Sequence, residues 1–143
     1  MTDKIFVDTN ILIYAYDTDA GNKHAVCKQK LRDLWDSGDG VISTQVMQEF
    51  YVNVTRKIPE PLSFSHARQI IKNYAAWQVE LISPRLVGFA SEIQERNQLS
   101  FWDALILATA IQGNVKILFS EDLNSGQLIE GVEVVNPLSR SLP

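Results

Sequence analysis

Five short segments of this chain, residues 4–7, 41–43, 79–82, 115–119 and 132–135, are apolar almost throughout and rich in β-branched residues. Helical patterns are interspersed between them. A strand that is apolar on both faces has no side to offer to water, so it belongs in a sheet covered on both faces by helices, which is the habit of parallel sheets. The expected fold class is therefore α/β.

The helical patterns fall at 11–16, 22–37, 45–57, 65–77, 84–97 and 100–112. In the second, Ala25, Val26, Leu31, Leu34 and Trp35 recur near helical spacing. Asn10 can cap the first helix, Gly38-Asp39-Gly40 breaks the second, and Pro84 and Ser100 open the last two. The two prolines of Ile58-Pro59-Glu60-Pro61-Leu62-Ser63 mark a turn between helices. With 143 residues, 45% of them hydrophobic, and no repeat or linker, residues 1–143 read as one domain able to bury a single core.

Open parallel sheets bind ligands beyond the carboxyl ends of their strands, near the point where strand order reverses. That rule turns the pattern into a map. Asp8 follows the first strand, Ser43 and Thr44 follow the second, and Asp122 follows the fourth. Glu49 lies early in the helix after the second strand. Asp103 is the only charged residue in Phe101-Trp102-Asp103-Ala104-Leu105-Ile106-Leu107-Ala108-Thr109-Ala110-Ile111.

Each acid also has an ordinary explanation. Asp8 can cap the following helix, a role as natural at a strand end as a functional one. Glu49 lies opposite the apolar arc of Val46, Met47, Phe50, Tyr51 and Val54, on a polar side shared with Gln45 and Arg56, where a solvated face is the default. Asp103 can complete a capping box with Ser100, although an unpaired carboxylate in so apolar a helix is costly to bury and favours function. Asp122 sits in a polar loop, Ser120-Glu121-Asp122-Leu123-Asn124, where Asp is a common turn residue. Together the four acids would make an all-oxygen site suited to Mg²⁺ or Mn²⁺.

The charge balance permits such a pocket. The net charge is −4, and setting aside four of the 17 acids leaves 13 against 13 Lys and Arg. The basic residues are scattered, so no broad basic surface for nucleic acid is expected. Cys27 is the single cysteine, which excludes an internal disulfide and a two-cysteine metal site. The start MTDKIFVD has no basic leader pattern, and no apolar run approaches the roughly 18 residues of a membrane span. A cytoplasmic protein without a membrane segment is expected. His24 and His66 lack partners at ligand spacing, Cys27 reads as a small packed residue, and Trp35, Trp77 and Trp102 read as core or interface anchors rather than base-stacking platforms. No phosphate-binding glycine motif or nucleophile elbow is present.

Four stretches in order, Val7-Asp8-Thr9-Asn10-Ile11-Leu12, Ser43-Thr44-Gln45-Val46-x-x-Glu49-Phe50, Phe101-x-Asp103-Ala104-x-Ile106-x-Ala108-x-Ala110 and Ser120-Glu121-Asp122-Leu123, make the chain resemble a PIN domain, and within that family the VapC-like ribonuclease toxins. The resemblance implies a three-layer α/β/α sandwich with a central five-stranded parallel sheet and an acidic pocket holding Mg²⁺ or Mn²⁺. It implies cleavage of single-stranded or structured RNA, homodimerisation, and inhibition by a small antitoxin protein that occupies the active-site groove. Asp8, Glu49, Asp103 and Asp122 match the family's acidic positions, and Thr9, Asn10, Ser43 and Ser120 its supporting polar ones; Ser120 stands where threonine is frequent, which keeps the hydroxyl.

Two other readings stay open at this point. An aspartyl-nucleophile phosphohydrolase also places an Asp after its first strand, although Asn10 occupies the position where a second Asp is expected. A non-catalytic interaction module would use the same acids as caps and solubilising charge.

Overall fold

The computed structural model describes residues 3–139. Its strands are β1 (Ile5–Val7), β2 (Gly40–Ser43), β3 (Gln78–Glu80), β4 (Ile117–Phe119), β5 (Leu128–Ile129) and β6 (Val132–Val135). The helices are α1 (Thr9–Tyr16), α2 (Asn22–Ser37), α3 (Thr44–Arg56), α4 (Phe64–Tyr74), α5 (Pro84–Asn97) and α6 (Phe101–Gln112), with one 3-10 turn at Thr18–Ala20. The sheet runs β3-β2-β1-β4-β6-β5. All neighbours are parallel except β5, which pairs antiparallel with β6.

The sheet thus has six strands rather than the five expected, because residues 128–129 add a short edge. Glu130 and Gly131 join β5 to β6 with φ of 52° and 83°, as a two-residue hairpin with positive φ at both central positions requires. Glutamate is an unusual occupant of that position, so the sequence carries only half of the usual hairpin signal. Arg96 and Asn97 hold the Glu130 carboxylate in place, with bonds of 2.9 Å and 2.8 Å.

Helix α1 packs on α2 and α3, α3 packs on α4, and α5 packs on α6. Right-handed crossovers put the helices linking β1 to β2 and β2 to β3 on one face and those linking β3 to β4 on the other, which gives the three layers. The core between them includes Phe6, Ile11, Ile42, Phe50, Ile93 and Leu107, all essentially inaccessible. Ala104 to Ala110 are buried without interruption, so α6 is the central helix of its layer. Trp77 covers the strand at Gly40, where an added Cβ would lie 2.5 Å from the indole. Among the described residues no helix is long and apolar enough to cross a membrane.

Strand order reverses beside β1, since the chain builds outward through β2 and β3 and then returns to add β4 on the other side of β1. The carboxyl ends of β1 and β4 are in register, with Val7 opposite Phe119, and the Asp8 amide donates to the Phe119 carbonyl at 2.9 Å. The residues that follow these two strands are therefore brought side by side.

Candidate active site

A cavity of about 460 Å³ opens at this edge, and Asp8, Glu49, Asp103 and Asp122 all line it. Four chain segments supply them. Asp8 ends β1, Asp122 follows β4, Glu49 lies one and a half turns into α3, and Asp103 lies in the first turn of α6.

Asp8 is 5% exposed. It is the N-cap of α1, with Oδ1 accepting from the Thr9 amide at 2.7 Å. Its Oδ2 accepts from the Ser120 hydroxyl at 2.9 Å. The expectation that Asn10 caps this helix is corrected: α1 begins at Thr9, and Asn10 uses its amide to grip both oxygens of Asp122 at 2.9 and 3.0 Å. Ser120, fully buried, also accepts from the Asp122 amide at 3.2 Å and so links the two acids.

Glu49 is half-buried rather than on a solvated face. Its carboxylate accepts from the Thr9 hydroxyl at 2.6 Å. Gln45, Glu49, Asn53 and Lys57 follow one another at four-residue spacing and form a single stripe, and all four line the cavity. Ser43 acts one step removed: its hydroxyl caps α3 by accepting from the Val46 amide at 3.2 Å. Gln45 is 5% exposed, and its Oε1 has no hydrogen-bond partner among the described residues.

Asp103 also departs from expectation. It is half-buried at the cavity rim instead of enclosed, because the buried run of α6 starts only at Ala104. Ser100 caps the helix, its hydroxyl accepting from the Asp103 amide at 3.1 Å. The Asp103 carboxylate takes no hydrogen bond among the described residues, so the reciprocal arm of a capping box is not made and the group is left to face the cavity.

The electrostatics follow from this crowding. Burial pushes the Asp8 carboxyl from 3.8 up to about 7, the bonds from Ser120 and Thr9 oppose that rise, and the charges of Asp122 and Asp103 add to it. Asp122 is likewise held above its ordinary value, first by partial burial, then by Asp103 and Glu121, with Asn10 acting against them. Glu121 itself is turned to Tyr14 and Lys23, at 2.6 and 2.9 Å. Like charges that add to the rise of the Asp8 and Asp122 carboxyls mark a site short of positive charge.

An all-oxygen donor set of this kind fits a hard divalent cation. The convergence is incomplete, however: among the described residues no three acid, His or Cys side chains are close enough to hold one ion as they stand. Thr9, Asn10 and Ser120 each bond one carboxylate, those of Glu49, Asp122 and Asp8 respectively.

The other expectations can be placed briefly. Cys27 is buried, and burial pushes its thiol up to about 12. His24 is half-buried with Nδ1 2.9 Å from the Tyr14 carbonyl, and His66 is exposed. Trp35 and Trp77 anchor an aromatic cluster around Tyr74. Trp102 does not behave as a core anchor: it is 62% exposed and lines the acidic cavity, as does Lys57. Neither residue was expected at the site from the sequence, although the four-residue spacing from Glu49 to Lys57 was there to be counted.

A parallel sheet with four acids around one cavity at its switch point defines a class, an α/β domain with a carboxylate site. More specifically, the chain belongs to the PIN domain family, whose model matches residues 5–127. Similar solved structures include the Mycobacterium tuberculosis toxin VapC20, described as cleaving the sarcin-ricin loop, at TM-score 0.65 and 22% identity over 83% of this chain and 90% of that one. A toxin-antitoxin complex from Klebsiella pneumoniae is similar at TM-score 0.72 and 21% identity, covering 96% and 100%. VapBC2 from Rickettsia felis, solved with a DNA fragment from its promoter, is similar at TM-score 0.61 and 18% identity, covering 91% and 96%. Among curated proteins no match is found.

Proposed function

We propose that this chain is a Mg²⁺- or Mn²⁺-dependent endoribonuclease, the toxin of a toxin-antitoxin pair, which hydrolyses phosphodiester bonds of single-stranded or structured RNA in the cytoplasm. The observation that carries the proposal is that Asp8, Glu49, Asp103 and Asp122, drawn from four separate chain segments, line one cavity at the sheet's switch point. Membership of the PIN family supports it, as do the descriptions of the structural neighbours as an RNA-loop-cleaving toxin and as toxin-antitoxin complexes. A small antitoxin is the expected inhibitor, and a second copy of the chain the expected dimer partner.

In this reading Asp8, Glu49, Asp103 and Asp122 hold the divalent cation. When bound, such a cation acidifies water and stabilises charge on phosphate oxygens. The rest is done by the chain. Ser120 and the Thr9 amide fix the Asp8 carboxylate, Asn10 fixes Asp122, and the Thr9 hydroxyl fixes Glu49. Asp103, free of such bonds, is the carboxylate best able to swing toward an ion or orient an attacking water. Among the described residues Thr9 carries the one hydroxyl lining the cavity, and it is engaged by Glu49, so water is the nucleophile in this reading. An aspartyl-phosphate route lacks its second acid, since Asn10 is bonded to Asp122.

The test is cleavage of a mixed RNA pool by wild type, Asp8→Asn and Asp122→Asn with Mg²⁺ or Mn²⁺. Loss of cleavage by at least about a hundredfold in folded variants is expected; undiminished cleavage by Asp8→Asn would overturn the assignment.

A further inference from the structure

Beyond the acids, the same cavity has a second half that phosphate chemistry does not explain. Trp102, adjoining Asp103 in the first turn of α6, leaves 62% of its surface in water although that helix is buried without interruption from Ala104 to Ala110. Phe101 meets its ring edge to face, with centroids 5.2 Å apart and planes at 78°. Val52, 44% exposed, adds apolar surface to the lining. Lys57, at the end of the α3 stripe, is the one cation lining the cavity, and it makes no ion pair or hydrogen bond among the described residues. It lies eight residues beyond Glu49, about 12 Å along the helix axis.

An exposed indole beside carboxylates that attend to a phosphate, with a free ammonium farther along the same wall, suits one kind of ligand. An unpaired nucleotide offers a base face for the ring and a neighbouring phosphate for the cation. A base-paired nucleotide cannot present that face. We infer that Trp102 is the stacking platform for an unpaired base next to the cleaved bond, and that Lys57 holds an adjacent phosphate, so that the site selects single-stranded or looped RNA over duplex. Stacking accepts any base, so this position confers a requirement for an unpaired base without a preference among the four.

This rests on the ribonuclease reading, and the experiment separates the two. Steady-state cleavage and binding of a single-stranded oligoribonucleotide are measured for wild type, Trp102→Ala, Trp102→Phe, Lys57→Ala and Lys57→Arg. Trp102→Ala raises KM about tenfold or more with kcat little changed, and Trp102→Phe restores most of the loss. Lys57→Ala lowers the slope of log affinity against log salt by about 0.7, and Lys57→Arg restores it. With one abasic residue scanned along the oligonucleotide, a single position costs wild type the same factor and costs Trp102→Ala nothing further, since the two changes remove one contact. Trp102 is exposed, so an unaltered melting temperature is expected for its variants. If wild type cleaves RNA while Trp102→Ala keeps its KM and shows the wild-type abasic profile, the stacking assignment fails alone. That result would leave the indole as a protein-docking residue. If wild type neither binds nor cleaves RNA with Mg²⁺ or Mn²⁺, both readings fall.

Discussion

Ser120 donates its hydroxyl to Asp8 Oδ2 at 2.9 Å across 112 positions of sequence, and the same oxygen accepts from the Asp122 amide. This buried hydroxyl ties the ends of β1 and β4 together and holds down the pKa of Asp8. Because the Ser120 bond holds the Asp8 pKa down against burial, Ser120→Ala lets it rise further. The acid limb of the pH–rate profile for RNA cleavage then moves to higher pH in Ser120→Ala and stays near wild type in Ser120→Thr, a comparison that initial rates across a pH series will make.

The raised pKa of Asp8 also has a cost in stability. Its carboxyl titrates near 7 in the fold and near 3.8 when unperturbed, so the folded state binds the proton more tightly than the unfolded chain. Stability from this group is therefore full below about pH 4, declines as pH rises, and is lost above about pH 7. The loss is at most about 4 kcal/mol. Thermal denaturation in a chelator should show Asp8→Asn more stable than wild type at about pH 8, with no such gain near pH 4.

Asn10 is the clamp on Asp122, and its bond is one of the influences holding that carboxyl down. Asn10→Ala should weaken Mn²⁺ binding, measured by calorimetry near neutral pH, by about tenfold, the lower end of losses seen when a ligand's supporting partner is removed. Asn10→Asp adds a fifth acid to the site and should not restore cleavage, because it cannot donate to Asp122.

Packing makes an independent prediction at Gly40. A Cβ there would stand 2.5 Å from the Trp77 ring, so Gly40→Ala forces the indole off β2 and costs about 1–3 kcal/mol. Chemical denaturation will read this directly, and Gly88→Ala, where nothing lies within 4 Å of an added Cβ, is the matched control.

The parallel core, Asp8, Asp122 and Asp103 were legible as candidates because they rest on local patterns: uniformly apolar strands, carboxylates placed after two of them, and a single charge in an apolar helix. What escaped depends on contacts between distant segments. The edge strand β5 has two residues and a turn with Glu130 where Asn or Gly would announce a hairpin. Glu49 reads as solvated on its own helix because the pattern shows which face is polar, not that Thr9 and the cavity lie opposite it. The capping and functional readings of Asp8 proved compatible, since its two oxygens serve Thr9 and Ser120 separately. The core alternative for Trp102 fails for a simpler reason: the buried run of α6 starts only at Ala104, and Trp102 and Asp103 before it line the cavity.

The central claim is that one cavity of carboxylates works with a divalent cation to cut RNA, and Asp103, the acid without a hydrogen-bonded restraint, is its sharpest probe. The direct measurement is the rate of single-stranded RNA cleavage against Mg²⁺ or Mn²⁺ concentration, for wild type and Asp103→Asn side by side. The account predicts saturable, chelator-sensitive cleavage by wild type and at least about a hundredfold loss in Asp103→Asn at every metal concentration. Cleavage that persists in chelator, or an Asp103→Asn curve superimposed on that of wild type, would contradict it.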